Sequence, residues 1–150
     1  MGSIIRVSDA ASLALHALML LAREPDRSLT VGEVASGLSV SANHLAKVMQ
    51  RLVRVGLVSS TRGPGGGFRL GKPACDITLL EIVETMDGPV SEGFCLLGNT
   101  SCPAGQCLMG PVLASIHDQV RRHLRETRLS DTCGSAEDRG NVVSPSTTDE

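Results

Sequence analysis

Three cysteines, Cys95, Cys102 and Cys107, fall within the stretch SEGFCLLGNTSCPAGQCLMG, separated by six and then four residues. Thiolates gathered this closely on a Gly-rich backbone can fold around a soft metal centre: an iron-sulfur cluster, zinc or Cu(I). The zinc reading lacks the C-x2-4-C knuckle common in zinc sites. Unligated or redox-reactive thiols are the competing reading of the same residues. Cys75, just ahead of an apolar segment, reads as a small core residue, and Cys133 as incidental. The total of five is odd and no export signal is evident, which favours metal, cluster or thiol chemistry over a disulfide framework.

A second chemistry lies between Glu33 and Asp76, where no acidic residue occurs while Lys47, Arg51, Arg54, Arg62, Arg69 and Lys72 supply six positive charges. Such one-signed bias is the footprint of a phosphate-contacting surface. Within it, SANHLAKVMQRL turns Ser41, Asn43, His44, Lys47, Gln50 and Arg51 away from an apolar seam of Leu45, Val48, Met49, Leu52 and Val55. These side chains can contact base edges or phosphates in a major groove, and Ser41 to Lys47 occupy the helix end from which a recognition helix reads bases. A basic solvated face is the alternative for such a helix in isolation; the helix before it, the hairpin after it and the missing acids favour DNA. Arg62 heads the turn RGPGGG and is placed to enter a minor groove, and Gly65 and Gly66 of the tip complete the DNA-facing set. A phosphate-cradling nucleotide loop fits poorly, because Pro64 removes a backbone donor and no Lys-Ser/Thr pair follows. A merely structural hairpin stays open. No Ser/His/Asp constellation, HExxH or carboxylate pair is present, so no catalytic centre is read.

The elements that must position these residues are mainly helical. At 150 residues the chain suffices for one compact domain with an added dimerisation element. Phe68 and Phe94 are the only aromatic residues, so the core must come from Leu, Val, Ile, Ala and Met. The same scarcity argues against an aromatic platform for single strands or RNA. Residues 1–75 carry nine Lys/Arg against four Asp/Glu, residues 76–150 five against twelve, so only the first half resembles a polyanion binder.

In order, the pattern predicts a Ser8-capped helix to Arg23 with a polar stripe of Asp9, Ser12, His16, Met19 and Arg23. A short helix with a Thr30/Glu33 capping box follows and ends at Gly37. The recognition helix, capped by Ser39 or Ser41, stops at Gly56. Strands at Leu57–Thr61 and Phe68–Leu70 flank the glycine turn, and a helix capped by Asp76 or Thr78 ends at Gly88. The segment from Pro89 to Gly110 is a long loop, uncommon unless it is mobile or holds a ligand or metal. A helix from Leu108 to Arg128 then carries one seam, Leu108, Val112, Leu113, Ile116, Val120 and Leu124, suited to pairing with a copy of itself. His117 and His123 on it read as surface or interface residues. The division expected is a winged helix-turn-helix domain over 1–88, a cysteine-rich cluster-binding loop over 89–107, a dimerisation helix over 108–130 and a disordered tail over 131–150. No stretch is long and apolar enough to span a membrane; Ala10 to Ala22 is too short and lacks the flanks of a signal peptide, so a cytoplasmic location is the expectation.

The wing GLVSSTRGPGGGFRLGKP, the helix SANHLAKVMQRL and the three-cysteine loop together resemble the IscR/NsrR-type (Rrf) regulators, bacterial winged helix-turn-helix transcription factors. The resemblance implies a homodimer that crosses its long C-terminal helices, reads a palindromic site in double-stranded DNA, and often holds a [2Fe-2S] or [4Fe-4S] cluster whose state sets DNA affinity. It places Cys95, Cys102 and Cys107 on the family's cluster cysteines, and Asn43, His44, Lys47 and Arg51 on its recognition helix. NHLAKV is similar to the nitric-oxide-responsive NsrR branch. The chain departs from the IscR branch at Gly110, where that branch has a histidine ligand, and has Ser12 where some NsrR members use an aspartate from helix one of the other subunit. His16 or Ser12 of the partner subunit is then the candidate fourth ligand, a packed histidine being the alternative for His16. The expected function is a DNA-binding regulator sensing redox state, nitric oxide or iron. The rivals are a cluster-free thiol switch on the same DNA-binding frame, and a small metal or electron-transfer protein.

Overall fold

The computed structural model describes residues 7–90, 107 and 109–133. Helix α1 (Asp9–Arg23) is the central element, packed against α2 (Val31–Leu38), α3 (Ala42–Arg54), α4 (Leu79–Asp87) and strand β2 (Gly67–Leu70). It starts where Ser8, in extended backbone, turns its Oγ to accept from Ala11 N at 3.0 Å. Its buried face is Ala11, Leu13, Ala14, Ala17, Leu18 and Leu21; the alanines allow close approach and the leucines fill the core. The polar stripe expected opposite is found, with His16 exposed and Ser12 half-buried.

Helix α2 begins with the complete capping box: Thr30 Oγ1 accepts from Glu33 N at 3.2 Å and Thr30 N donates to Glu33 Oε2 at 2.7 Å. Arg27 Nη1 adds an ion pair to Glu33 Oε1 at 2.7 Å. The Thr30 backbone N–H, then the Arg27 side chain, hold the Glu33 carboxyl at about 2, below its ordinary 4.5. A carboxyl lowered by folding stabilises the fold fully above its ordinary value and loses that contribution as pH falls toward the folded value. The stability gap between wild type and Glu33→Ala in urea unfolding should therefore stay constant from about pH 7 to 5 and close between about pH 4.5 and 2. A gap independent of pH would show that the Glu33 charge contributes nothing to stability. The helix does not end at Gly37: it runs to Leu38, and Ser39 adopts the left-handed turn at φ 55°. Gly37 serves packing, since a Cβ there would lie 3.3 Å from Leu20 Cδ1.

Ser41 flanks α3 in extended backbone but makes no side-chain cap bond. Leu45, Val48, Met49 and Leu52 are buried as the seam requires, whereas Val55 is 55% exposed, because the helix has ended at Arg54 and its turn carries Val55 outward. Gly56, at φ 80°, makes the stop: its N–H reaches Val53 O and Leu57 N reaches Leu52 O, both at 3.0 Å, the paired bonds of a Schellman cap.

Strands β1 (Val58–Thr61) and β2 form the antiparallel wing in the register Val58 to Leu70 and Thr61 to Gly67. Phe68 also exchanges two backbone bonds with Leu29, at 2.7 and 3.0 Å, which fastens the wing to the α1–α2 connection. Gly66 is required by space, since a Cβ there would sit 2.3 Å from Thr61 O.

Thr78, rather than Asp76, caps α4 by accepting from Glu81 N at 3.1 Å, and Gly88 follows the helix at φ 82°. Cys75 is exposed rather than a core residue: the 3-10 turn Ala74–Asp76 directs Ala74 and then Ile77 inward instead. Helix α5 (Gly110–Glu126) packs against α4 and buries only Leu113; Ile116, Val120 and Leu124 are half-buried and Val112 is 51% exposed. Its helical bonds stop at Glu126, short of the expected Arg128, because the next residues pair with the start of α4: Leu79 N donates to Thr127 O at 3.1 Å and Leu129 N to Ile77 O at 2.9 Å. Leu129 is wholly buried and opens a 3-10 turn, Leu129–Thr132, so ordered chain extends past Asp131. Residues 134–150, the rest of the expected tail, lie outside the described residues, as does Leu108 of the expected seam.

Candidate nucleic-acid interface and cysteine site

Helices α2 and α3, joined by three residues, with α3 leading into the β1–β2 hairpin, make a helix-turn-helix with a wing. The buried seam of α3 fixes its rotation, and Ser41, Asn43, His44, Lys47 and Gln50 consequently lie on its exposed side. Ser41 Oγ is not used in capping, so its hydroxyl remains available for other contacts. Arg62, Gly63, Pro64 and Gly65 are exposed at the wing tip, where Gly63 and Gly65 take φ 93° and 72°; Gly66 is half-buried beneath it.

The six cations of the acid-free interval divide into two groups. Arg51 Nη2 donates to Thr85 O and Met86 O at 2.8 and 3.0 Å. Arg69 reaches Ser28 Oγ at 3.0 Å and Asp26 O, and Lys72 pairs with Glu81 at 2.7 Å. These three join parts of the fold. Lys47, Arg54 and Arg62 are exposed and make no hydrogen bond or ion pair among the described residues. Arg54, at the end of α3, and the exposed hydroxyls of Ser59, Ser60 and Thr61 on β1 are additions to the residue set chosen from sequence. Their signal was present, Arg54 in the charge count and the hydroxyls in the run Ser59-Ser60-Thr61, but their exposure beside the recognition helix and along the wing emerges only from the fold.

Cys95 and Cys102 fall outside the described residues; Cys107 is half-buried, a free thiol two residues ahead of Met109, which flanks α5. A Cβ built on Gly110 would lie 3.6 Å from Cys107 Sγ, so this position faces the thiol but supplies no donor atom. On α1, His16 Nδ1 is 2.7 Å from Ser12 O. A carbonyl only accepts, so Nδ1 is the donor here and Nε2 is the ring nitrogen not used in this bond, the arrangement by which a backbone acceptor orients a metal-ligating imidazole. Among the described residues no group of three or more His, Cys, Asp or Glu is placed to hold a metal ion. The donor types that are placed, the half-buried Cys107 thiol and the oriented His16 imidazole, are ones that soft metals and iron-sulfur groups accept, and they stand on separate segments.

A helix-turn-helix followed by a two-stranded wing, with its free cations on the second helix and the wing tip, defines a winged-helix DNA-binding protein. The chain belongs to the Rrf2 family, described as iron-dependent transcriptional regulators, whose sequence model matches residues 7–134. It is similar to the HTH-type transcriptional regulator IscR of Cereibacter sphaeroides, 32% identical over 124 residues, or 81% of this chain and 80% of that protein. Among solved structures it is similar to CymR, the global cysteine regulator of B. subtilis, at 26% identity and TM-score 0.74 over 86% of this chain and 96% of that one. It shares the fold of T. potens IscR, with 20% identity and TM-score 0.68 over 85% of each chain. No helix among the described residues is long and apolar enough to cross a membrane.

Proposed function

We propose that this transcription regulator binds a palindromic operator in duplex DNA as a homodimer and reports redox state, nitric oxide or iron supply through a [2Fe-2S] or [4Fe-4S] cluster. Cys95, Cys102 and Cys107 supply three ligands, and His16 of the partner subunit, or Ser12 of the partner subunit, the fourth. The observation that carries the sensing half is the His16 geometry: Nδ1 is spent on Ser12 O and Nε2 is left as a ligand, on the helix from which the family resemblance draws the missing donor. A cluster bound there would supply one-electron redox chemistry and reactivity toward nitric oxide.

Ser41, Asn43, His44 and Gln50 read base edges, Lys47 and Arg54 hold phosphates, and Arg62 enters the minor groove with Gly65 and Gly66 shaping its approach. The cysteine segment is joined in sequence to α4 on one side and α5 on the other, and these two helices pack together. A change at the cysteines reaches the DNA-reading elements through α4. It shifts DNA affinity only to the extent that duplex binds the two arrangements differently.

Anaerobic purification, reconstitution with iron and sulfide, and a visible absorption spectrum test the cluster. The expected result is coloured wild type and a colourless Cys102→Ala variant. A colourless wild type with full DNA affinity would favour the second reading, a metal-free thiol switch. That reading draws on the likeness to CymR and on the exposed thiols of Cys75 and Cys133.

A further inference from the structure

The last turn of an α-helix leaves carbonyls with no partner further along the helix. In α4 the Gly88 N–H satisfies Glu84 O at 3.0 Å, and the next two carbonyls, of Thr85 and Met86, both accept from the Nη2 of Arg51. A guanidinium at a helix C-terminus also meets the negative end of the helix dipole. The same turn is held from a second side: Asp87 accepts from Ser8 N at 3.0 Å and from Ser8 Oγ, at the start of α1. One turn of α4 therefore fastens both the recognition helix and the helix that carries His16.

Both hydrogens of one Arg51 nitrogen are committed to successive carbonyls. Both bonds come from one terminal nitrogen of a rigid planar group, which restrains the rotation of its own helix as well as its distance; lysine carries the same charge on a shorter, freely rotating terminus. Lys47, one turn earlier on α3, makes no such bond among the described residues and is exposed. The two cations share a helix face in sequence and part company in the fold.

We propose that Arg51 is a positioning residue for DNA recognition: it sets the pose of α3 by clamping it to the end of α4, and acts on DNA through that pose rather than as a phosphate contact. The inference rests on α3 being the recognition helix. It also names the path by which α4, which leads into the cysteine segment, can influence base reading.

Duplex affinity measured between about 0.05 and 0.3 M salt separates the possibilities, because losing a phosphate contact lowers the slope of log affinity against log salt by about one. Arg51→Ala is expected to weaken binding about tenfold at every salt concentration, the scale of losing a charge-assisted hydrogen bond, with the wild-type slope retained. Lys47→Ala should lower the slope by about one. Arg51→Lys, which keeps the charge but shortens the side chain and loses the planar guanidinium, should weaken binding several-fold. A slope for Arg51→Ala reduced like that of Lys47→Ala, or an Arg51→Lys at wild-type affinity, would make Arg51 a phosphate contact and overturn the proposal. Unchanged affinity of folded Arg51→Ala would make the clamp purely structural and overturn it equally. If Arg51→Ala does not fold, Arg51→Gln is read on the same criteria. If Lys47→Ala changes neither affinity nor slope, the recognition-helix reading itself fails, and this proposal with it.

Discussion

Replacing Lys47 and Arg62 together by alanine is expected to weaken duplex binding about a hundredfold near physiological salt and to lower the salt slope by roughly two. The size of the effect follows from how the positive charge is distributed. Of the six cations in the acid-free interval, Arg51, Arg69 and Lys72 are bonded to Thr85, Met86, Asp26, Ser28 and Glu81 within the fold. The countable footprint shrinks to Lys47, Arg54 and Arg62, so removing two removes most of it. The two residues sit on different elements, α3 and the wing tip, and share no bonded partner among the described residues, so their losses are expected to add. Arg69→Ala is the informative control: it should loosen the wing from the Asp26–Ser28 turn and lower stability, while leaving the salt slope at the wild-type value. A double variant with undiminished affinity would remove α3 and the wing from the DNA interface.

Leu129→Ala is expected to cost about 2–5 kcal/mol, the range for truncating a buried leucine, and to lower the thermal midpoint by about 10 °C. Leu129 is fully buried in the core shared with α1 and α4, although it lies beyond the last helix. Its N–H is bonded to Ile77 O, and the preceding Arg128 pairs with Thr78, the cap of α4. The substitution leaves a cavity and frees the end of α5 from the winged domain. A midpoint shift of less than about 2 °C would show that Leu129 does not sit in this core.

Much of the frame was legible in residue order because its determinants are local. The Thr30/Glu33 box, the Leu45–Val48–Met49–Leu52 seam, Gly56 after α3 and the glycine turn between two β-rich runs each specify structure within a few positions. What escaped was set by partners distant in sequence. Arg51 meets carbonyls thirty-four and thirty-five residues away and Arg69 reaches back forty-three, so charge counting alone could not foresee that both are bonded within the fold. Leu129 stands among polar residues at the end of the expected dimerisation segment, outside its apolar seam, and nothing local reveals that Ile77 waits to pair with it. Cys75 passed for a core residue because a 3-10 turn, which the pattern did not suggest, rotates it outward. The cysteine spacing pointed to chemistry before any fold was considered, and the fold added the orientation of His16 and the donor-free position at Gly110 facing Cys107.

In the proposed function the cysteine site sets how well the α3–wing surface binds DNA. The most direct measurement is the anaerobic affinity of iron-loaded and metal-stripped protein for a duplex that the protein itself enriches from a random pool, with Cys102→Ala in parallel. Wild-type affinity is expected to differ by about tenfold or more between the two states, within the usual range of coupling energies, and Cys102→Ala to have one affinity under both treatments. Equal wild-type affinities in the two states would contradict it.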